Sequence, residues 1–195
     1  ASFATKMPMI PMRIWLSEVH VEAPTSGSII LAGLLLKVGL VGFIRILYLL
    51  FPVATKFFAP YVAAIATVGV IYASLITLRQ IDMKRIIAYS SIAHMNLVVI
   101  GIFSFNLIGL DGAILQSISH GFVSGALFFI IGILYNRYHS RLLPYYSGIV
   151  LVMPLYASFF FMFTFFAYFS LFQTLSWTSH VPRGCFAPLG PLFKG

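Results

Sequence analysis

A chain of 195 residues that is 61% hydrophobic and 8% charged, with a mean hydropathy of +1.01, carries about a third of the charge that a soluble domain uses. There is too little polar surface to cover a body of this size in water, which excludes a soluble enzyme and a disordered tail. Twelve Lys and Arg against four acids give a net charge of +8, but they are scattered between apolar runs rather than gathered on one face, which speaks against a nucleic-acid binder and for a polytopic membrane protein.

Residues 1–27 read as the remainder of a broken helix and a connection. Pro8, Pro11 and Pro24 stand among Ile14, Trp15 and Leu16, and proline removes a donor and interrupts the helical ladder. Irregular backbone at membrane depth is tolerated only inside protein or along a wet cavity. The first residues carry no basic segment ahead of an apolar stretch, so no signal peptide is expected. The chain does not begin with Met, and an internal, processed or split product is expected.

Residues 28–172 hold five apolar stretches of about the 20 residues that a spanning helix needs. They cover 28–50, 60–78, 86–107, 112–135 and 149–172, with breaks marked by Pro52 and Lys56, by 79–85, by 106–111 and by 136–144. The expected fold is all-α, a polytopic bundle of transmembrane helices with a broken helix at its N-terminal end. The tail, 173–195, has Pro182, Pro188 and Pro191 and does not read as a span. Its Cys185 has no ligand partner nearby and is expected to be a free thiol. The connections alternate in charge: Arg79, Lys84 and Arg85, then Arg137 and Arg141, lie on one side, against Lys56 alone on the other. By the positive-inside rule the basic side faces the cytoplasm or the mitochondrial matrix.

Ionisable groups inside a bilayer are costly, about 2.5–3.5 kcal/mol for lysine at a helix centre on the insertion scale, so their positions carry the functional argument. Lys37 sits near the middle of the first span, too far from either end for its side chain to reach the surface at 1.5 Å of rise per residue. It is read as a buried proton carrier rather than a snorkelling lysine. His94 shares a helix face with Ser90 and Ser91, and His120 with Ser117 and Ser124, with Gln116 and Ser119 widening the patch. One membrane histidine is often merely packed. Two in successive spans, each with hydroxyls at helical spacing, suit a proton chain, because imidazole exchanges protons near neutral pH. Metal binding is the rival reading and lacks a supporting carboxylate or thiolate cluster. Gly121 and Gly125 allow a close helix approach. Lys6, beside Pro8, reads by itself as a lysine at a helix end and gains interest from the break. Arg45 is taken as structural. Lys56, Lys84, Arg85, Arg137 and Arg141 are taken as loop charges. His20, between Glu18 and Glu22, is read as part of a polar connection capping the next helix rather than as a metal or acid–base triplet.

Three blocks then resemble a known family. They are Trp15-Leu16-Ser17-Glu18-Val19-His20-Val21-Glu22-Ala23-Pro24-Thr25 with Leu34-Leu35-Leu36-Lys37, the run from Leu78-Arg79-Gln80 through Ser90-Ser91-Ile92-Ala93-His94-Met95, and Ser119-His120-Gly121 with Tyr135-Asn136-Arg137. Together they are similar to the subunit 4 family of NADH:ubiquinone oxidoreductase, respiratory complex I, in its mitochondrial form. The resemblance implies an antiporter-like, proton-pumping membrane-arm subunit of the mitochondrial inner membrane. It implies that Lys6, Lys37, His94 and His120 belong to a hydrated proton path, with Ser90, Ser91, Ser117 and Ser124 in support. Arg13 stands where the family has His, and Ser17 where it has Pro. The resemblance fades after about Tyr156, and no glutamate like that of the family's twelfth helix follows.

No redox group is expected in this chain: NADH, FMN, iron–sulfur clusters and ubiquinone would be bound by other subunits. The expected partners are neighbouring antiporter-like subunits, lipids and a second polypeptide or further length of chain that completes the path, with no nucleic acid. A related cation/proton antiporter subunit and a scaffold that no longer pumps are the alternatives.

Overall fold

A computed structural model of the chain describes residues 5–179. All regular secondary structure among them is helical. Thr5 and Lys6 are helical, residues 7–13 are not, and helix resumes as α1, Ile14–Glu22. Then follow α2 (Thr25–Ile46), α3 (Pro52–Arg79), α4 (Met83–Ile102) and α5 (Leu107–Tyr138), each long and apolar enough to cross a membrane. A further apolar helix, α6, runs over Pro154–Ser179. Cys185 and the remainder of the tail lie outside the described residues.

Three helix boundaries differ from those the sequence suggests, each for a local reason. The segment 51–59 reads as a loop, yet α3 begins at Pro52. A proline at the first helical position loses no bond, because that N–H has no helical acceptor. The residue before it, Phe51, is held out of the helical region at φ −131° and ψ 55°, as a following proline requires. Pro60 then lies inside α3 instead of opening it. Between α4 and α5 the break falls at 103–106, with Phe105 in the left-handed region, so Asp111 sits on α5 rather than in a turn. The stretch 149–172 is not one span. A short helix, Ile149–Val152, ends at Met153, and Pro154 starts α6 afresh.

Helix α4 sits at the centre. Residues 91–99 are buried without interruption, which a helix achieves only when neighbours cover it on all sides. Helix α3 pairs with α4 where Gly69 meets Asn96. Helix α5 turns back along α4 with Gly101 against Gly109 and Ala113, and α6 lies along α5, the Tyr156 hydroxyl donating to the Ile130 carbonyl at 3.2 Å. Helix α2 crosses α5 in the opposite direction through small residues: Gly33 faces Gly121, Ile29 faces Gly125 and Thr25 faces Gly132. Among lipids, contact of this kind relies on close packing rather than on apolar burial.

One end of the bundle is stitched together by the basic connections. Met83 N–H donates to Arg141 O and Leu143 N–H to Ile81 O, both at 3.1 Å. Lys84 and Arg141 do not project as loop charges. Lys84 is buried and its ammonium donates to Ala23 O at 2.8 Å. Arg141 stacks on the Tyr135 ring and donates to Val21 O at 2.7 Å. Both cations thereby satisfy carbonyls at the C-terminal end of α1, where the helix dipole is negative.

Candidate proton-transfer site

Local backbone geometry places Lys37. Within α2, Leu31–Leu35 forms a π-helical turn in which the Leu36 N–H reaches back to Leu31 O. Such turns widen a helix and recur at functional positions. The Lys37 ammonium folds back along this turn to donate to Ala32 O. It also lies 3.2 Å from His120 Nδ1 on α5. Gly121 makes this possible: a Cβ there would stand 3.2 Å from Lys37 Cε and 3.3 Å from Gly33 O. Lys37 is half-buried rather than fully enclosed.

From His120 the polar groups continue inward. The rings of His120 and His94 lie 5.4 Å apart, tilted by 44°. Gln116 Nε2 is 3.1 Å from His94 Nδ1 and 3.5 Å from Ser170 Oγ on α6. Both histidines and Gln116 are buried. A small cavity, with room for about one water molecule, lies among Ser90, Ser91, His94, His120, Ser124 and Ser170. The hydroxyls of Ser90, Ser124 and Ser170 donate to the carbonyls of Ile87, His120 and Ala167 on their own helices. Ser91 Oγ is buried with no hydrogen-bond partner.

The site therefore brings together Lys37, His120, His94, Ser90, Ser91 and Ser124. Ser117 is buried and donates to Ile114 O, but it does not line the cavity. Lys6 is exposed and does not line the cavity; its Cβ lies against Gly39. Arg13, one of the departures from the family pattern, places its guanidinium 4.0 Å from the centre of the Tyr72 ring.

The sequence reading missed His20 as a site residue. It is fully buried, stacks on Phe128 with ring centres 4.8 Å apart, and leaves both ring nitrogens without partners. It lies within electrostatic reach of His120 and Lys84. Glu18 and Glu22 point away to the exposed side, because positions two apart fall on opposite faces of a helix. Leu16 and Ser17, four and three residues before His20, are buried with it. That spacing was the available signal.

Burial, aided by the Lys84 ammonium, pulls His20 from 6.5 down to about 4. The folded chain then prefers neutral His20. Its stabilising contribution is complete above pH 6.5 and is lost as pH falls towards about 4, where the loss levels off. At one pKa unit per 1.36 kcal/mol, the loss is at most about 3 kcal/mol. Thermal inactivation of the intact assembly should therefore steepen across that window, and His20→Phe should flatten the dependence. An equally steep profile in the variant would assign the acid sensitivity elsewhere.

All-helical over its described residues, with four apolar helices of spanning length and lysine and histidine between them, the chain has the organisation of an antiporter-like membrane subunit. It belongs to the NADH:quinone oxidoreductase/Mrp antiporter transmembrane family, whose sequence profile matches residues 1–180. Among its relatives, NADH-ubiquinone oxidoreductase chain 4 of Chondrus crispus is 59% identical over 165 residues, covering 85% of this chain and 34% of that protein. The protein of the same name from Triticum aestivum is 57% identical over 164 residues, covering 84% and 33%. The chain thus spans about a third of the length of the curated relatives it matches. A chain of respiratory complex I from Thermus thermophilus shares the fold, with a TM-score of 0.76 at 22% identity over 91% of this chain and 44% of that one.

Proposed function

We propose that the chain is part of a proton-translocating membrane-arm subunit of an NADH:ubiquinone oxidoreductase in the mitochondrial inner membrane. The observation that carries this reading is the Lys37 ammonium 3.2 Å from His120 Nδ1, with His94 one ring further in. Three groups able to gain and lose a proton lie in sequence between helices of an apolar bundle, where they have no packing reason to be. In this reading Lys37 passes a proton to His120, and His120 to His94 through the ring contact or a water in the adjoining cavity. Gln116 holds the His94 ring in orientation. Ser90, Ser91 and Ser124 support the intervening space, and Ser117 fixes the helix turn before His120. Lys6 serves the other side of the path. Oxidation of NADH elsewhere shifts the charge around these groups and so moves the proton. The flavin, iron–sulfur clusters and ubiquinone belong to other subunits of the same assembly. Neighbouring antiporter-like subunits, lipids and a further polypeptide or length of chain cover the exposed helix faces. The basic end of the bundle faces the matrix.

The identity of more than half to chain 4 relatives supports this reading over a free-standing cation/proton antiporter. A tagged copy of the chain, purified in mild detergent, is expected to bring NADH-oxidising subunits with it. His120→Gln in that assembly should retain subunit composition and NADH oxidation by artificial acceptors, while proton translocation falls by about tenfold or more, as for loss of a positioned acid–base group. Isolation without NADH-oxidising partners would return the antiporter reading to first place.

A further inference from the structure

The break over residues 7–13 creates a problem that the proton path does not explain. In an unbroken helix, Thr5 O would accept from the N–H of Met9 and Pro8 O from that of Met12. No Met12 N–H reaches Pro8 O across the break, and a carbonyl left bare between helices is costly. Two side chains donate to the carbonyls on this segment. Trp15 Nε1 donates to Thr5 O at 2.9 Å. Asn96, buried at the middle of α4, donates from Nδ2 to Pro8 O at 3.2 Å and to Ile92 O at 2.8 Å. The amide orientation is fixed, because both neighbours are carbonyls and only the nitrogen has protons to give. Asn96 Oδ1 is left buried and unpartnered, against Gly69 of α3. A Cβ on Gly69 would stand 2.8 Å from Oδ1 and 2.9 Å from Cγ. On the other side, Gly39 of α2 admits the break: a Cβ there would stand 3.0 Å from Lys6 Cβ and 3.0 Å from Met7 Cγ.

We propose that Asn96 is a positioning residue of the proton path, clamping the open turn at Pro8 and thereby fixing where Lys6 stands. It acts through the backbone and touches no proton in transit. Gly69 is the seat that lets the amide reach across, and Trp15 holds the preceding turn from its own side. A buried asparagine in the most enclosed stretch of an apolar helix, with one of its two polar atoms left unpaired, is a poor choice for stability alone. Its contact with the broken helix is what it gains. The functional half of this inference rests on the reading of Lys6 as a proton carrier given above. The structural half does not.

The test uses the intact assembly in sealed vesicles, with Asn96→Ala, Gly69→Ala, the double variant, and Lys37→Met as control. Two quantities are read: backbone hydrogen exchange over residues 7–13 and protons moved per electron. Asn96→Ala is expected to raise exchange over 7–13 at least several-fold while exchange in α5 is unchanged, and to lower the proton-to-electron ratio. Gly69→Ala should do the same by pushing the amide away. In the double variant the added methyl meets no amide, so it should be no worse than Asn96→Ala alone. Asn96→Ser, which restores a donor, should recover part of the ratio. Wild-type exchange and ratio in Asn96→Ala, or additive losses in the double variant, overturn the inference. If Asn96→Ala does not assemble, Gly69→Ala decides by the same readings. An unchanged ratio in Lys37→Met, with raised exchange in Asn96→Ala, instead defeats the proton-path reading and leaves the clamp standing.

Discussion

Replacing Lys37 with Met in the intact assembly is expected to reduce NADH-driven proton translocation by about tenfold or more, since a positioned acid–base group contributes about 10²–10⁴-fold. Methionine has a similar length and no charge, so the space beside His120 stays filled. The loss is that of the only amine within hydrogen-bonding distance of His120 Nδ1 among the described residues. Lys37→Arg separates charge from proton carriage. A guanidinium keeps the positive charge and five donors, but it does not release a proton in proteins, and it should fail nearly as badly. Near-normal pumping in the arginine variant would mean that Lys37 acts as a fixed charge. Normal proton-to-electron stoichiometry in the methionine variant, at normal assembly, would make the bundle a scaffold.

The second large effect is expected at Gly121. Even one added carbon comes within 3.2 Å of Lys37 Cε and 3.3 Å of Gly33 O, and one of those is backbone that cannot step aside. Gly121→Leu must push α2 away from α5. Overpacking of this kind costs about 1–3 kcal/mol, and the 3.2 Å contact between Lys37 and His120 lies at the crossing that opens. Proton translocation is expected to fall about as far as in Lys37→Met, with reduced assembly as well. Gly125→Ala is the control: its added carbon meets only Ile29 Cγ2, at 3.7 Å, an ordinary contact. Assembly and pumping measured for the pair should separate them. Equal behaviour would show that the α2–α5 crossing has slack at Gly121.

The fold was legible because apolar runs of spanning length have few alternatives. Lys37, His94 and His120 were legible as candidates for the same reason: a polar side chain within such a run stands out. Lys84 was not. A cation beside a turn looks the same in sequence whether it points into water or folds under the neighbouring connection to meet Ala23 O. His20 was hidden by its acidic neighbours, which give the segment a hydrophilic look although they occupy the far side of α1. The π-turn beneath Lys37 left no signal either. Leu31-Ala32-Gly33-Leu34-Leu35 is an unexceptional helical run, and the widening shows only in the backbone bond from Leu36 N–H to Leu31 O. Asn96 lies two residues from His94, on the opposite face of α4, and its partner, a carbonyl of Pro8, is 88 residues away.

The serine hydroxyls around the small cavity have a consequence for what can pass. Ser90 and Ser124 have each engaged their proton with a carbonyl of their own helix, so towards the cavity they present lone pairs. A guest there finds those lone pairs beside the uncommitted hydroxyl of Ser91 and the rings of His94 and His120, whose Nδ1 atoms face nitrogen donors and so leave the ring proton on Nε2. Such a lining both accepts and donates, so a single water there can be turned between the two rings without the wall favouring either sign of ion.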